Sequence, residues 1–212
     1  MKPLKIALTK GRLEKSAAEL FRRMNLDLSA LENKGRRLIL PVPPYEAVLA
    51  KAPDVITYVE HAACDIGIVG KDTIAEAAGS GGYYEMLDLG FGKCDFALAA
   101  KRDADFYAGY NVKRIATKYP NVARGFFAGK GMDVQIIKIE GSVELAPLLN
   151  LSDAIVDIVE TGATLRENGL EVIEKIMPVS ARVIVNMAGF KMRRNEIEEF
   201  LTEIEKAKAE TI

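Results

Sequence analysis

The stretch Ala154-Ile-Val-Asp-Ile-Val-Glu-Thr-Gly-Ala-Thr-Leu-Arg-Glu-Asn-Gly169, AIVDIVETGATLRENG, runs from a short apolar segment into an acid-led polar turn. Ala154 to Val159 has the length and β-branched content of a buried strand. Leu165, Val172, Ile173 and Ile176 follow at the spacing of a helical stripe, which predicts that Thr161 to Thr164 opens a helix. The same order of strand, polar turn and helix occurs three more times. Leu4 to Thr9 leads through Lys10-Gly11-Arg12 to Leu13, Ala17, Leu20, Phe21 and Met24. Asp65 to Val69 leads through Gly70-Lys71-Asp72 to a helix reaching about Ala78, with Asp72 or Thr73 as its cap. Arg114 to Thr117 leads through Tyr119-Pro120 to a helix ending near Gly129. Strands alternating with helices predict a mostly parallel α/β sheet with sites at the strand carboxyl ends.

The pattern breaks in mid-chain. Tyr84 to Leu89 and Cys94 to Ala100 read as strands around Gly90-Phe-Gly92, and Gly79 to Gly82 reads as a loop. A crossover there, with a return near Pro178, predicts two lobes, 1–92 plus 181–212 and 93–180, separated by a cleft. The last helix, with Ile197, Phe200, Leu201 and Ile204 on one face, then packs on the first lobe.

Composition restricts the function. Apolar residues are 49% of the 212-residue chain and the formal charge is -1, so a soluble globular protein is expected, without non-specific affinity for nucleic acid or anionic membranes. No apolar run approaches the ~18 residues of a membrane helix, and the amino terminus lacks a cleavable apolar segment. Cys64 and Cys94 fit neither a disulfide framework nor a zinc spacing and read as small buried thiols in a reducing cytoplasm.

The turn after Val159 has the chemistry of a phosphate-monoester site. Amides and the dipole at a helix amino terminus favour an anion, Gly162 permits close approach of the backbone, and Thr161 and Thr164 supply hydroxyl donors. A Walker-type nucleotide loop is excluded by the missing Gly-Lys-Ser/Thr. Asp157 and Glu160 repel a triphosphate but accept hydrogen bonds from vicinal hydroxyls, or meet a magnesium ion bridging the ligand. Monoester plus diol describes a 5-phosphoribosyl group. The plainer alternative is a helix capped by Thr161 with a turn at Gly162; the flanking acids favour the ligand. Cations at the start of a helix are unfavourable, so Lys10 and Arg12 around Gly11 point to an anion that offsets them. Arg36-Arg37 and Lys51 add charge at other strand ends. Ser142 in Glu140-Gly-Ser-Val-Glu-Leu-Ala-Pro147 reads as a cap, His61 as a helix-surface residue, and the tail Glu196 to Glu210 as a solvated helix face.

Several ordered motifs together resemble the short-form ATP phosphoribosyltransferases of histidine biosynthesis. They are Ala7 to Arg12, Tyr58 to Glu60, Asp65 to Asp72, Arg114 to Thr117, Gly141 to Pro147 and Asp157 to Leu170, and they span nearly the whole chain. The resemblance implies a two-lobed fold like the type II periplasmic binding proteins, with an active site in the cleft. It implies attack by adenine N1 of ATP on C1 of phosphoribosyl pyrophosphate, giving phosphoribosyl-ATP and pyrophosphate, with magnesium carried by the substrates and no direct protein ligand to the metal assigned. Thr161, Gly162, Ala163, Thr164 and Leu165 are implied to hold the 5-phosphate, and Asp157 and Glu160 to face the ribose. Lys10, Gly11, Arg12 and Arg36 are implied to meet the pyrophosphate. Lys51 joins Arg12 and Arg36 as a catalytic cation, although relatives often carry arginine there and lysine lacks the bidentate fork. Gly70, Lys71, Asp72, Thr117 and Tyr119 are the implied ATP contacts. Because long-form relatives continue past the position of Ile212 into a regulatory domain, the resemblance further implies a cytoplasmic homodimer with a separate regulatory subunit related to histidyl-tRNA synthetase. A non-catalytic solute-binding protein and a salvage-type phosphoribosyltransferase are the alternatives. The first normally carries a signal peptide; the second usually shows two adjacent acids where this chain has Val156-Asp157.

Overall fold

A computed structural model describes residues 2–77 and 81–209 of the chain. The chain opens with β1 (Lys5–Thr9), α1 (Arg12–Arg23), α2 (Ser29–Glu32), β2 (Ile39–Val42), β3 (Tyr45–Ala50), α3 (Ala52–Glu60), β4 (Ile66–Gly70), α4 (Lys71–Glu76) and β5 (Tyr83–Asp88). It continues through β6 (Cys94–Lys101), β7 (Lys113–Thr117), α5 (Pro120–Gly129), β8 (Val134–Lys138), α6 (Leu145–Leu148), β9 (Ala154–Val159), α7 (Ala163–Glu167) and β10 (Leu170–Val179). It closes with β11 (Ala181–Asn186), α8 (Met187–Met192) and α9 (Arg194–Ala209). Two compact units result, Met1–Gly92 with Ser180–Ile212, and Lys93–Val179.

The first unit holds a six-stranded sheet in the order β2-β3-β1-β4-β11-β5. β1 pairs in parallel with β3 and β4, so their carboxyl ends lie at one edge, with Thr9 level with Ala50. β2, β5 and β11 run antiparallel to their neighbours. α1 buries Ala17, Leu20 and Phe21, and α9 buries Ile197, Phe200, Leu201 and Ile204 in the same core. Phe21 and Phe200 meet edge to face at 6.2 Å, and Tyr45 meets Phe200 at 5.0 Å. Burial first, then the Glu203 and Glu199 carboxylates, push the Tyr45 phenol up to about 12. Cys64 is buried, with its thiol pushed up to about 11 chiefly by that burial; Cys94 is half-buried.

The second unit holds a five-stranded sheet in the order β10-β6-β9-β7-β8, parallel only where β7 meets β8 and β9. Its core gathers Ala99, Ala116, Val143, Ile155, Leu165 and Leu170.

Several sequence expectations are corrected. Both sheets are mixed, because hairpin and return strands join the parallel ones. Val172, Ile173 and Ile176 lie on β10, not on a helix: α7 stops after five residues, Gly169 turns the chain at φ 68°, and β10 pairs antiparallel with β6. Register shifts between Val172 and Glu174 and between Lys175 and Met177 break strict alternation. An extra residue in a strand breaks the period of two, leaving apolar residues at spacings that imitate a helix. Gly70, not Asp72 or Thr73, occupies the α4 cap position, and Glu144, not Ser142, that of α6. The predicted end of the first of these helices at Ala78, and Gly79 and Ser80 of the predicted loop, lie outside the described residues, as does Glu210 of the tail.

Phe200→Ala removes a fully buried ring from the first unit's core and is expected to cost about 3–5 kcal/mol in urea unfolding. A loss below about 1 kcal/mol would contradict the packing described.

Candidate functional site

β9 ends at Val159 because the chain must turn at Gly162, whose φ of 69° is left-handed and suits glycine. Leu165 is buried in the second unit's core and anchors the far side of the turn. Between these anchors Thr161 Oγ1 accepts from the Ala163 amide at 3.3 Å, and Arg166 Nη1 donates to the Thr161 carbonyl at 2.9 Å. The turn borders a concavity of about 230 Å³ lined by every residue from Asp157 to Leu165, together with Glu144. All seven residues assigned to the phosphoribosyl group therefore border one pocket. Helix α7 is too short for a full macrodipole, so an anion here depends on individual amides of the first turn, which lack partners within the helix, and on the Thr161 and Thr164 hydroxyls. Three carboxylates, Asp157, Glu160 and Glu144, share the lining. No group of three or more His, Cys, Asp or Glu side chains among the described residues is arranged to hold a metal ion.

A second constellation lies at the parallel-strand edge of the first unit. The Lys10 amide donates to the Ala50 carbonyl at 2.9 Å, which sets Lys10 beside Lys51, the cap residue of α3. Gly11, at φ 96°, caps α1, and Arg12 is that helix's first residue. A concavity of about 520 Å³ is bordered by Lys10, Gly11, Glu14, Lys15, Lys34 and Arg36, among others. Lys10, Gly11 and Arg36 are thus brought together; Arg12 and Lys51 adjoin Lys10 in the chain and across the sheet but do not border the concavity. Arg36 is exposed on the loop before β2.

The remaining expected contacts differ in character. Gly70 and Lys71 form the β4–α4 junction; Gly70 is extended at φ -72°, and a Cβ there would meet only the Asp72 carboxylate, with Oδ1 at 2.0 Å, so a larger residue would displace that side chain. Lys71 Nζ donates to Glu85 Oε2 at 2.6 Å. Thr117 is fully buried; its hydroxyl donates to the Val156 carbonyl at 2.6 Å and accepts from the Tyr119 amide at 2.8 Å, so it shapes the β7–α5 turn. Tyr119 is buried edge-on against Phe96 at 4.9 Å.

Sequence reasoning passed over Glu144, Glu14 and Lys34. Glu144 was hidden within a stretch read only for capping. Glu14 had a legible signal: an acid at the third helical position after a glycine cap has capping-box spacing, and its carboxylate does accept from the Gly11 amide at 3.4 Å. Lys34 carried no local signal, since only folding brings it to Glu14.

Two mixed α/β units, traversed in the order first, second, first, define the class of two-lobed proteins typified by the type II periplasmic binding proteins. The alkanesulfonate-binding protein SsuA of Xanthomonas axonopodis pv. citri shares this fold at a TM-score of 0.57 and 12% identity, over 98% of this chain and 73% of its own. The ATP phosphoribosyltransferase family model matches residues 51–206. An ATP phosphoribosyltransferase of Clostridium kluyveri is 59% identical over 204 residues, covering 95% of this chain and 92% of that one. The structure of an ATP phosphoribosyl transferase (HisG:HisZ) complex from Thermotoga maritima aligns at a TM-score of 0.84 and 31% identity, over 98% of this chain and 99% of that one. The chain belongs to the ATP phosphoribosyltransferase family. Its reaction is the first step of histidine biosynthesis, transfer of the 5-phosphoribosyl group of phosphoribosyl pyrophosphate to N1 of ATP.

Gly162→Ala places a Cβ 3.2 Å from Arg166 Nη1, a mobile side-chain end, so its cost comes chiefly from the left-handed backbone. Thermal unfolding is expected to show a loss of about 1–2 kcal/mol, together with weaker binding of ribose 5-phosphate. Unchanged stability and affinity would show that the turn does not depend on this conformation.

Proposed function

We propose that the two constellations divide the phosphoribosyl donor between them. Thr161, Gly162, Ala163 and Thr164 hold the 5-phosphate, Leu165 anchors that turn, and Asp157 and Glu160 accept hydrogen bonds from the ribose hydroxyls. Lys10, Gly11, Arg12 and Arg36 take the pyrophosphate, with Lys51 as a further cation at the same edge. Gly70, Lys71 and Asp72 contact ATP, and Thr117 and Tyr119 shape a second ATP-binding turn. The observation that carries this reading is the single concavity bordered by Asp157 through Leu165, where donors for a monoester adjoin acceptors for a diol.

Adenine N1 keeps a free lone pair at neutral pH, so the nucleophile needs no general base. Its lone pair forms the bond to C1 while the bond from C1 to the pyrophosphate oxygen breaks, and both electrons of that bond leave on pyrophosphate. The demanding part is the charge that grows on the leaving group. Arg12 and Arg36 meet that charge in place, and preorganised donors of this kind are worth about 10²–10³ in turnover each. The acids of the phosphoribosyl pocket favour a positively charged, oxocarbenium-like C1.

Magnesium fits as an ion carried by the substrate phosphates, since it is commonly held by one or two carboxylates, waters and phosphate oxygens; bound there, it neutralises pyrophosphate charge. Asp157 and Glu160, which border the phosphoribosyl pocket, are the carboxylates that would face it. The Thermotoga relative is a complex of two kinds of subunit, and we read this chain as the catalytic member of such an assembly, with a regulatory subunit related to histidyl-tRNA synthetase, in the cytoplasm. A second copy of the chain completes a homodimer; β2 is a sheet edge whose first residue, Ile39, is exposed together with Leu38 just before it, a surface that proteins commonly cover.

The test mixes the purified chain with ATP, phosphoribosyl pyrophosphate and magnesium, with and without the regulatory subunit, and measures phosphoribosyl-ATP. Product is expected in at least one arm; a folded sample giving none in either would overturn the reading. Arg12→Ala and Arg36→Ala are each expected to lower turnover by about 10²–10³ while ATP affinity changes little. Wild-type turnover in both would remove the pyrophosphate assignment.

A further inference from the structure

Lys34 borders the same concavity as Lys10, Gly11 and Arg36, and its ammonium is paired with the Glu14 carboxylate. The two partners are not alike. The Glu14 side chain is only 10% exposed, whereas that of Lys34 is 37% exposed. A carboxylate is almost never buried unless paired, and this one has two partners: Lys34 on Oε1 and the Gly11 amide, at 3.4 Å, on Oε2. One covered acid thus ties the turn after β1 to the loop before β2, the two segments that supply Lys10, Gly11 and Arg36. A lysine ammonium has three donors. Glu14 uses one and leaves two for a ligand on the accessible side.

An exposed ion pair serving only to staple a loop contributes little, and it would not call for a buried acid among cations. The concavity is bordered by Lys10, Lys15, Lys34, Arg36 and Arg37 against the one carboxylate of Glu14, so its charge stays strongly positive after the pair forms. We propose that Lys34 is a further pyrophosphate-binding residue of this reaction, and that Glu14 is a positioning residue that holds both Lys34 and the Gly11 turn toward the leaving group. This rests on the pyrophosphate assignment made above. It adds that the acid helps the site by fixing a cation against its neighbours' repulsion without discharging the pocket.

The experiment titrates magnesium pyrophosphate into the whole chain by calorimetry, and runs steady-state assays, with Lys34→Met, Lys34→Arg, Glu14→Gln and the Glu14→Gln/Lys34→Met double variant. Lys34→Met is expected to weaken pyrophosphate by about tenfold or more, as loss of a hydrogen bond to a charged group does, with KM for ATP unchanged. Lys34→Arg keeps affinity within about threefold, and the double variant is no weaker than Lys34→Met, because the Lys34 contact is already gone and a glutamine oxygen at position 14 still accepts from the Gly11 amide. Wild-type pyrophosphate affinity in Lys34→Met, with only a lower unfolding temperature, would overturn the proposal and leave the pair a staple. Should wild-type protein itself neither bind pyrophosphate nor form phosphoribosyl-ATP, the underlying assignment fails and takes this inference with it. Should it do both while Lys34→Met matches it, only the role of Lys34 fails.

Discussion

Repulsion among like charges is the constraint on which the first unit's site depends. Lys10, Lys15, Lys34, Arg36 and Arg37 border one concavity with a single carboxylate among them. Two unit charges about 4 Å apart interact by about 4 kcal/mol at the effective dielectric near a protein surface, so such a set disperses unless the backbone holds it. Three local features do so here. The parallel register of β1 and β3 fixes Lys10 beside Lys51, the left-handed Gly11 bends the chain into α1, and Glu14 fastens that bend to the loop carrying Arg36. On the proposed reading, a leaving group entering here meets cations already held in place, and they interact with it more strongly as its charge grows.

The second unit solves the opposite problem. Its pocket is bordered by three carboxylates and no lysine or arginine, yet its ligand is read as a phosphate. A monoester needs few donors, and the turn after β9 offers hydroxyls and amides at close range because Gly162 takes a conformation other residues resist. On the proposed reading the acids disfavour a more highly charged ligand and receive hydroxyls instead. In the division proposed here, selectivity for one half of the substrate comes from leaving cations out of this pocket and concentrating them in the other.

Much of this was legible in the sequence where local signals were strong. β1, β4, β7 and β9 all begin and end within a residue or two of their apolar runs, and Pro120 marks the first turn of α5. The turns that border the two concavities were visible because glycine, threonine and acids cluster at strand ends. The failures share a cause: tertiary pairing overrode local spacing. β10 imitated a helix because its irregular pairing with β6 displaced the apolar period. The mixed sheets were hidden because direction is decided by partners distant in sequence. Lys34 was invisible for the same reason, lying twenty residues from Glu14. At Thr117, expected at an ATP-binding turn, the fold adds what the sequence did not show: its hydroxyl is used twice in shaping that turn.

Independence of the two half-sites is the central claim, and titration with the two halves of the substrate measures it directly. Ribose 5-phosphate and magnesium pyrophosphate are each titrated into wild-type, Thr164→Ala and Arg36→Ala protein. Thr164→Ala should weaken ribose 5-phosphate by several-fold to about tenfold and leave pyrophosphate untouched; Arg36→Ala should do the reverse. Both variants weakening the same ligand, or neither ligand responding, would contradict the division of the substrate described here.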